Sequence, residues 1–198
     1  MVYAWAGIAL SHICHLLSVL VIYRLVVRLA DERHAHRIAF TAAALYIVSP
    51  AGLFLSAPYG ESLFSLLNFT GFWLYSLSGS WTHGHQNLTL QQDLLVLSAG
   101  VLLGLATCVR SNGLLSGAIF AYDLGAALLS RPNIKSMSSL RNLVALGVSG
   151  VFVGMGMTFP QYLAYCQYCN DSQSVTAPRP WCKQSLPSIY SFVQDNYW

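Results

Sequence analysis

The sequence predicts an all-α fold, a polytopic bundle of membrane-spanning helices. Of the 198 residues, 55% are hydrophobic and only 9% are charged, where a soluble domain carries about 25% charged residues. The apolar residues gather into six runs, most of them near the roughly 20 residues needed to cross a bilayer. The basic residues collect in two of the connections between those runs, the pattern that sets orientation in a membrane. The net charge of +3 is small and no Lys/Arg-rich run occurs, so no nucleic-acid partner is expected. Dinucleotide-binding, Walker and zinc-protease motifs are also missing from the sequence, and no cofactor is expected.

The six runs cover roughly residues 3–27, 38–56, 61–78, 94–110, 114–130 and 143–166. The first has no basic stretch ahead of it, and Arg24 and Arg28 follow it, which argues for a retained span rather than a cleaved signal. In the second, Pro50 lacks a backbone donor and should kink the segment after Ser49. The fourth and fifth are short enough to be either two crossings or a re-entrant hairpin. Residues 1–166 are read as one transmembrane region and 167–198 as a segment on the non-cytosolic side. Gly100 with Gly104, Gly113 with Gly117, and Gly150 with Gly154 are each four apart, a spacing that lets helix backbones approach.

Orientation follows from charge. The first connection, residues 28–37, and the fifth, from Arg131 to Arg141, are both basic. With six crossings these lie in the cytosol. The even-numbered connections and the tail then lie outside, which in a eukaryotic secretory membrane is the lumen. Two polar strings share that side: Ala-Pro-Tyr-Gly-Glu at 57–61 and Val-Arg-Ser-Asn-Gly at 109–113.

Each string has two readings. Pro58 suits a first helical turn and Glu61 then sits where the helix dipole favours an anion; it is either a helix start at the water boundary or an acid facing a polar cavity. Arg110 ends a helix, where a cation is favoured, and Asn112 and Gly113 suit a C-cap. Alternatively the guanidinium fork of Arg110 meets a phosphate. The tail from Pro178 to Trp198 mixes aromatics with Gln194, Asp195 and Asn196. That composition fits an interfacial aromatic belt. It also fits sugar binding, where ring faces stack and amides and carboxylates bond hydroxyls.

Five cysteines are present. Cys14 and Cys108 fall in apolar runs and are read as packing residues. Cys166 and Cys169 end the last run, with Cys182 downstream. A fourth zinc ligand is not evident, so no metal is expected. A lumenal position permits a disulfide, and Cys169–Cys182 is the preferred pair, contributing on the order of 3 kcal/mol in the chain-entropy account. The histidine pairs His34/His36 and His83/His85 are read as solvated, and Asp123 either nears the cytosolic interface or pairs within the bundle. Of the triplets starting at Asn68, Asn87 and Asn170 that could accept a glycan, only the last is expected in the lumen.

Taken in order, these strings resemble the PIG-V family, the second mannosyltransferase of glycosylphosphatidylinositol (GPI) anchor synthesis. The matching pieces are Ser49-Pro50-Ala51 with Phe54-Leu55, Tyr59 with Glu61 and Leu63-Phe64, and Val109 through Gly113. Gln161-Tyr162-Leu163-Ala164-Tyr165 follows, then Pro180-Trp181-Cys182 and Ile189-Tyr190-Ser191 with Gln194-Asp195 and Tyr197-Trp198. The positions of Cys169 and Cys182 resemble the family as well.

The resemblance implies a multi-pass endoplasmic reticulum enzyme of GT-C type. Such an enzyme moves mannose from dolichyl-phosphate mannose to a mannosyl-glucosaminyl phosphatidylinositol, forming an α-1,6 link. A small membrane subunit is a possible partner beside membrane lipid. The implied substrate-binding residues are Tyr59, Glu61, Arg110, Asn112, Gln194, Asp195, Tyr197 and Trp198. The family's His-Trp-Asp loop, whose Asp is the expected base, does not occur in this sequence. The chain is therefore expected to be an internal or truncated portion of a longer enzyme, carrying part of the substrate site without the base. Two other classes compete. A transporter fragment would use Pro50 and Asp123 to shape a midplane site, and a non-catalytic membrane subunit would use the same motifs for packing alone.

Overall fold

The computed structural model describes residues 2–49, 59–79, 89–130, 137–169, 180–183, 188, 189, 191, 192 and 196. Among them the regular structure is entirely helical. The helices are α1 (Val2–Leu29), α2 (Ala35–Ile47), α3 (Glu61–Leu77), α4 (Leu90–Val109), α5 (Ala118–Ser130) and α6 (Met137–Tyr168). A 3-10 turn, Ser111–Gly117, joins α4 to α5, and a second, Pro180–Lys183, follows α6. Four stretches are long and apolar enough to cross a membrane: Tyr3–Leu29, Leu90–Val109, Ser111–Leu129 and Leu140–Tyr168. The all-α membrane bundle expected from composition is what the chain forms.

Three boundaries differ from those read in the sequence, each for a local reason. The second run is helical only over Ala35–Ile47. Ser49 precedes Pro50, and a residue before proline is disfavoured in the α region. Pro50 and the rest of that run to residue 58 lie outside the described residues. Helix α4 begins four residues earlier than the apolar run suggests, because Thr89 and Gln92 form a reciprocal capping box, which satisfies two orphan donors. Helix α4 also ends at Val109, so Arg110 is its C-cap, with extended backbone. Asn112 and Gly113 therefore stand inside the 3-10 turn rather than capping the helix. The fourth and fifth runs are each long enough to cross by length and composition.

Two compact units divide the chain, Met1–Gly156 and Met157–Trp198. In the first, α3 packs against both α1 and α4, and α2 lies on α1. The α2 contact uses Ala35, Ala39 and Ala43, one per turn, so the helix can lie close. An aromatic ladder adds to it: His15 of α1 stacks on Tyr46 of α2 at 5.0 Å, and Tyr46 meets Phe69 of α3 edge-on at 5.8 Å. The core is built from Tyr75, Val96, Leu103, Phe120, Leu146 and Val153.

Glycine decides the α4–α6 contact. A Cβ on Gly100 would stand 2.5 Å from the Ser149 Cβ, and one on Gly104 would stand 2.7 Å from the Phe152 carbonyl oxygen. The backbones touch there, and the Ser149 hydroxyl donates to the Val96 carbonyl across the seam at 3.1 Å. Gly117 packs on Val153 in the same way, whereas a Cβ on Gly150 or Gly154 would meet open space. The missing side chain is therefore not what close packing demands at that last pair.

The second unit holds the end of α6, in which Pro160 is embedded. Cys169 and Cys182 are joined by a disulfide with their Cα atoms 5.6 Å apart. The Ile189 amide donates to Gln161 Oε1 at 3.2 Å, and Trp181 is buried. Cys14 is buried, but Cys108 is exposed on α4 and does not pack in the core. His83, His85, Asn87, Asn170, Gln194, Asp195, Tyr197 and Trp198 lie outside the described residues.

Candidate functional site

The chain enters α3 and leaves α4 at the same end of the first unit. Helices run antiparallel, so the N-terminus of α3, with its partial positive charge, lies beside the C-terminus of α4, with its partial negative charge. Each terminus recruits the ion that suits it. Glu61 is the first residue of α3, and Arg110 caps α4. The two ions then meet: Arg110 Nη1 donates to Glu61 Oε1 at 2.5 Å. Glu61 and Arg110, 49 residues apart in sequence, thus form one charged corner.

Neighbouring residues make the approach possible and fix its geometry. A Cβ on Gly60 would fall 3.0 Å from a Val109 methyl, so a larger residue at 60 would push the strings apart. The guanidinium carbon of Arg110 lies 6.0 Å from the centre of the Phe64 ring, at the outer edge of a cation–π contact. Below the corner, the Ser116 hydroxyl donates to Asn68 Oδ1 at 2.6 Å, tying the 3-10 turn to α3. A Cβ on Gly113 would stand 2.7 Å from the Thr107 Cα. Gly113 is therefore required for close approach as the chain doubles back, and its φ is not positive.

The corner is partly open. The Arg110 and Glu61 side chains retain 40% and 31% of their exposure. A guanidinium carries five N–H donors, and the Glu61 bond uses one of them. Tyr59 is exposed and, with Gly60 and Leu63, faces Leu10, Ser11 and Cys14 of α1 across a cavity of about 190 Å³. Asn112 is exposed on the 3-10 turn. Tyr59, Glu61, Arg110 and Asn112 are the sequence-nominated residues that the structure describes. Glu61 and Arg110 are in contact, while Tyr59 and Asn112 flank them in sequence.

Two further polar pairs lie far from this corner along the helices. Asp93 in the first turn of α4 is bonded to the Nε of Arg141 on α6. Asp123 of α5 is bonded to the hydroxyl of Tyr75 on α3; Tyr75 is fully buried and meets Phe120 edge-on at 5.3 Å. Of the two outcomes open for Asp123, the structure shows pairing within the bundle. The Asp93–Arg141 pair is not anticipated by the sequence reading; Thr89 followed three residues on by Gln92 is the capping signature that would have placed Asp93 in the first turn of α4. Among the described residues, no group of three or more His, Cys, Asp and Glu is placed to hold a metal ion.

A family model described as Mannosyltransferase (PIG-V) matches residues 1–198. GPI mannosyltransferase 2 of Aspergillus fumigatus is 48% identical over 189 residues, covering 92% of this chain and 41% of the relative. The protein of that name from Chaetomium globosum is 45% identical over 210 residues, covering 98% and 43%. GPI alpha-1,6-mannosyltransferase 2 of Cricetulus griseus is 32% identical over 183 residues, covering 82% and 34%. The chain thus spans less than half the length of the curated relatives it matches. No solved structure matches. With the match extending over every residue, the chain belongs to the PIG-V mannosyltransferase family.

Proposed function

We propose that this chain is part of a GPI-anchor mannosyltransferase, and that the Glu61–Arg110 corner faces the sugar donor. The reaction is transfer of the second, α-1,6-linked mannose from dolichyl-phosphate mannose to the mannosyl-glucosaminyl phosphatidylinositol acceptor, at the lumenal face of the endoplasmic reticulum membrane. Relatives called GPI mannosyltransferase 2 and GPI alpha-1,6-mannosyltransferase 2 support the reaction class. The observation that carries the site is the ion pair itself: a cation held by an anion at a helix end, partly exposed.

The chemistry asks for two things. An acceptor hydroxyl must lose a proton as it attacks the anomeric carbon, and the departing lipid phosphate must be stabilised. Arg110 supplies the second need. Its remaining N–H groups form a planar fork suited to phosphate oxygens, while Glu61 holds the guanidinium in one orientation. The second oxygen of Glu61 is then available to a sugar hydroxyl. Tyr59 and Asn112 flank the corner as contacts to the donor. Gln194, Asp195, Tyr197 and Trp198 are proposed sugar contacts on the strength of the family resemblance. The general base is assigned to none of these residues.

Arg110→Ala in the full-length gene product tests the assignment by complementation of cells lacking the second GPI mannose step. A charge-assisted hydrogen bond contributes about 1.5–3 kcal/mol, so transfer should fall about 10- to 100-fold, with single-mannose intermediates accumulating. Arg110→Lys should recover part of the loss, because it restores the charge without the fork. Normal transfer by Arg110→Ala would remove Arg110 from the site.

A further inference from the structure

We propose that the outward face of α2 binds a phospholipid with an anionic headgroup, one acyl chain lying along the helix. An open groove of about 550 Å³ follows this face, lined by His34, Arg37, Ile38, Thr41, Ala42 and Leu45. Each of those positions has another of the set three or four residues away, which places them on one stripe of a helix. The opposite face is the Ala35, Ala39, Ala43 seam already used against α1.

The stripe changes character along its length as a phospholipid does. One end carries Arg37 and His34, and beyond Thr41 it is apolar through Leu45. The Thr41 hydroxyl donates back to the Arg37 carbonyl at 2.9 Å, so it presents little polarity to the groove. From Arg37 to Leu45 the helix rises about 12 Å at 1.5 Å per residue. One leaflet of a hydrocarbon core about 30 Å thick is about 15 Å deep. From its charged end to Leu45 the stripe therefore comes close to the depth of a single leaflet.

Two features favour a negative headgroup at the polar end. Among the described residues the Arg37 guanidinium has no acidic partner. His34 is the N-cap of α2 and makes no side-chain capping bond, so first-turn amides with their partial positive charge remain at the same end. Asp31 and Glu32 belong to the turn before the helix, off the stripe. Ile38 and Leu45 keep 48% and 67% of their exposure, which leaves the apolar part uncovered within this chain. A basic pocket at the mouth of an apolar groove is the arrangement that holds anionic lipids at membrane interfaces.

The test uses the full-length protein with a photo-crosslinking residue at Ala42, irradiated in vesicles of phosphatidylcholine with a minor share of phosphatidylserine. The expected adduct is a phospholipid, enriched in phosphatidylserine about fivefold over its share in the vesicle. Arg37→Gln should abolish that enrichment, given about 1 kcal/mol per basic residue near an anionic surface, and Arg37→Lys should keep it. Because Arg37 is on an exposed helix face, helicity measured by circular dichroism should be unchanged in both variants. Adducts that follow vesicle composition, or enrichment that survives Arg37→Gln, would overturn the proposal. An adduct to another protein segment would also overturn it, showing that a helix covers the stripe. The proposal does not rest on the sugar-transfer reading.

Discussion

At the scale of single residues, two ion pairs of similar sequence separation do different physical jobs. Asp93 is almost fully buried, with 4% of its side chain exposed, and Arg141 reaches it from α6. Its second oxygen, Oδ1, has no hydrogen-bond partner, so the aspartate depends on Arg141. Removing one partner of a buried pair strands the other charge at a cost of about 3 kcal/mol or more. Arg141→Met should therefore lower the thermal midpoint of the purified protein in detergent. Asp93→Asn with Arg141→Met should recover part of the loss, since it removes the stranded charge. The Glu61–Arg110 pair is partly exposed, and exposed pairs contribute about 0–1 kcal/mol. Its disruption should leave the midpoint nearly unchanged while reducing transfer. A corner whose loss harms the reaction more than the fold is a site and not a brace.

How legible these pairs are in the sequence differs. Glu61 and Arg110 stand out in the sequence because a charge beside lipid demands an explanation, and the antiparallel chain path puts both at one end. Their direct contact was not legible, since hydropathy reports which residues reach the interface and not which ones touch. Asp123 is legible as an intramembrane acid. Its partner Tyr75 is not, because a tyrosine in an apolar run reads equally as an interfacial anchor. Gly113 carries two readings in the sequence, a C-cap and a close-approach position paired with Gly117; the left-handed cap does not form, and the close approach is to Thr107 within the turn, where the missing Cβ makes room.

At the scale of elements, hydrophobic runs found the helices and local chemistry set their ends. The capping box moved the start of α4 back, and the residues ahead of Pro50 ended α2 early. The glycine pattern was informative only where a facing helix exists. Gly100 and Gly104 on α4 meet α6, while a Cβ added at Gly150 or Gly154 would meet nothing within 4 Å. In a membrane, where lipid tails are as apolar as leucine, such close packing is a main source of helix association. Gly104→Val should press two methyls against the Phe152 backbone and destabilise the bundle by about 1–3 kcal/mol, read as a lower midpoint in a thermal scan. Gly154→Val should be near neutral, since its Cβ meets open space. Equal midpoints for the two variants would mean that the seam is not where the structure puts it.

At the scale of the whole molecule, Glu61 and Arg110 share one end of the first unit, and the charge bias of the sequence predicts that this end faces the lumen. Single cysteines at Tyr59 and at Asn112, in a background with the free Cys14, Cys108 and Cys166 replaced, give a direct reading. Intact microsomes should protect both positions from a membrane-impermeant thiol reagent until detergent is added. A cysteine at Arg33, in the basic connection, should react without detergent. Labelling of position 59 or 112 from the cytosolic side would leave the proposed sugar-transfer face in the wrong compartment.

The central claim is that Glu61 and Arg110 act as one unit on the donor phosphate. A double-mutant cycle in the full-length enzyme measures this, with kcat/KM for dolichyl-phosphate mannose as readout, the quantity that reports loss of transition-state stabilisation. If the carboxylate works by holding the guanidinium, Arg110→Ala and the Glu61→Gln/Arg110→Ala double variant should lower kcat/KM by the same factor. Independent effects that multiply in the double variant, or a kcat/KM that Arg110→Ala leaves untouched, would contradict the account.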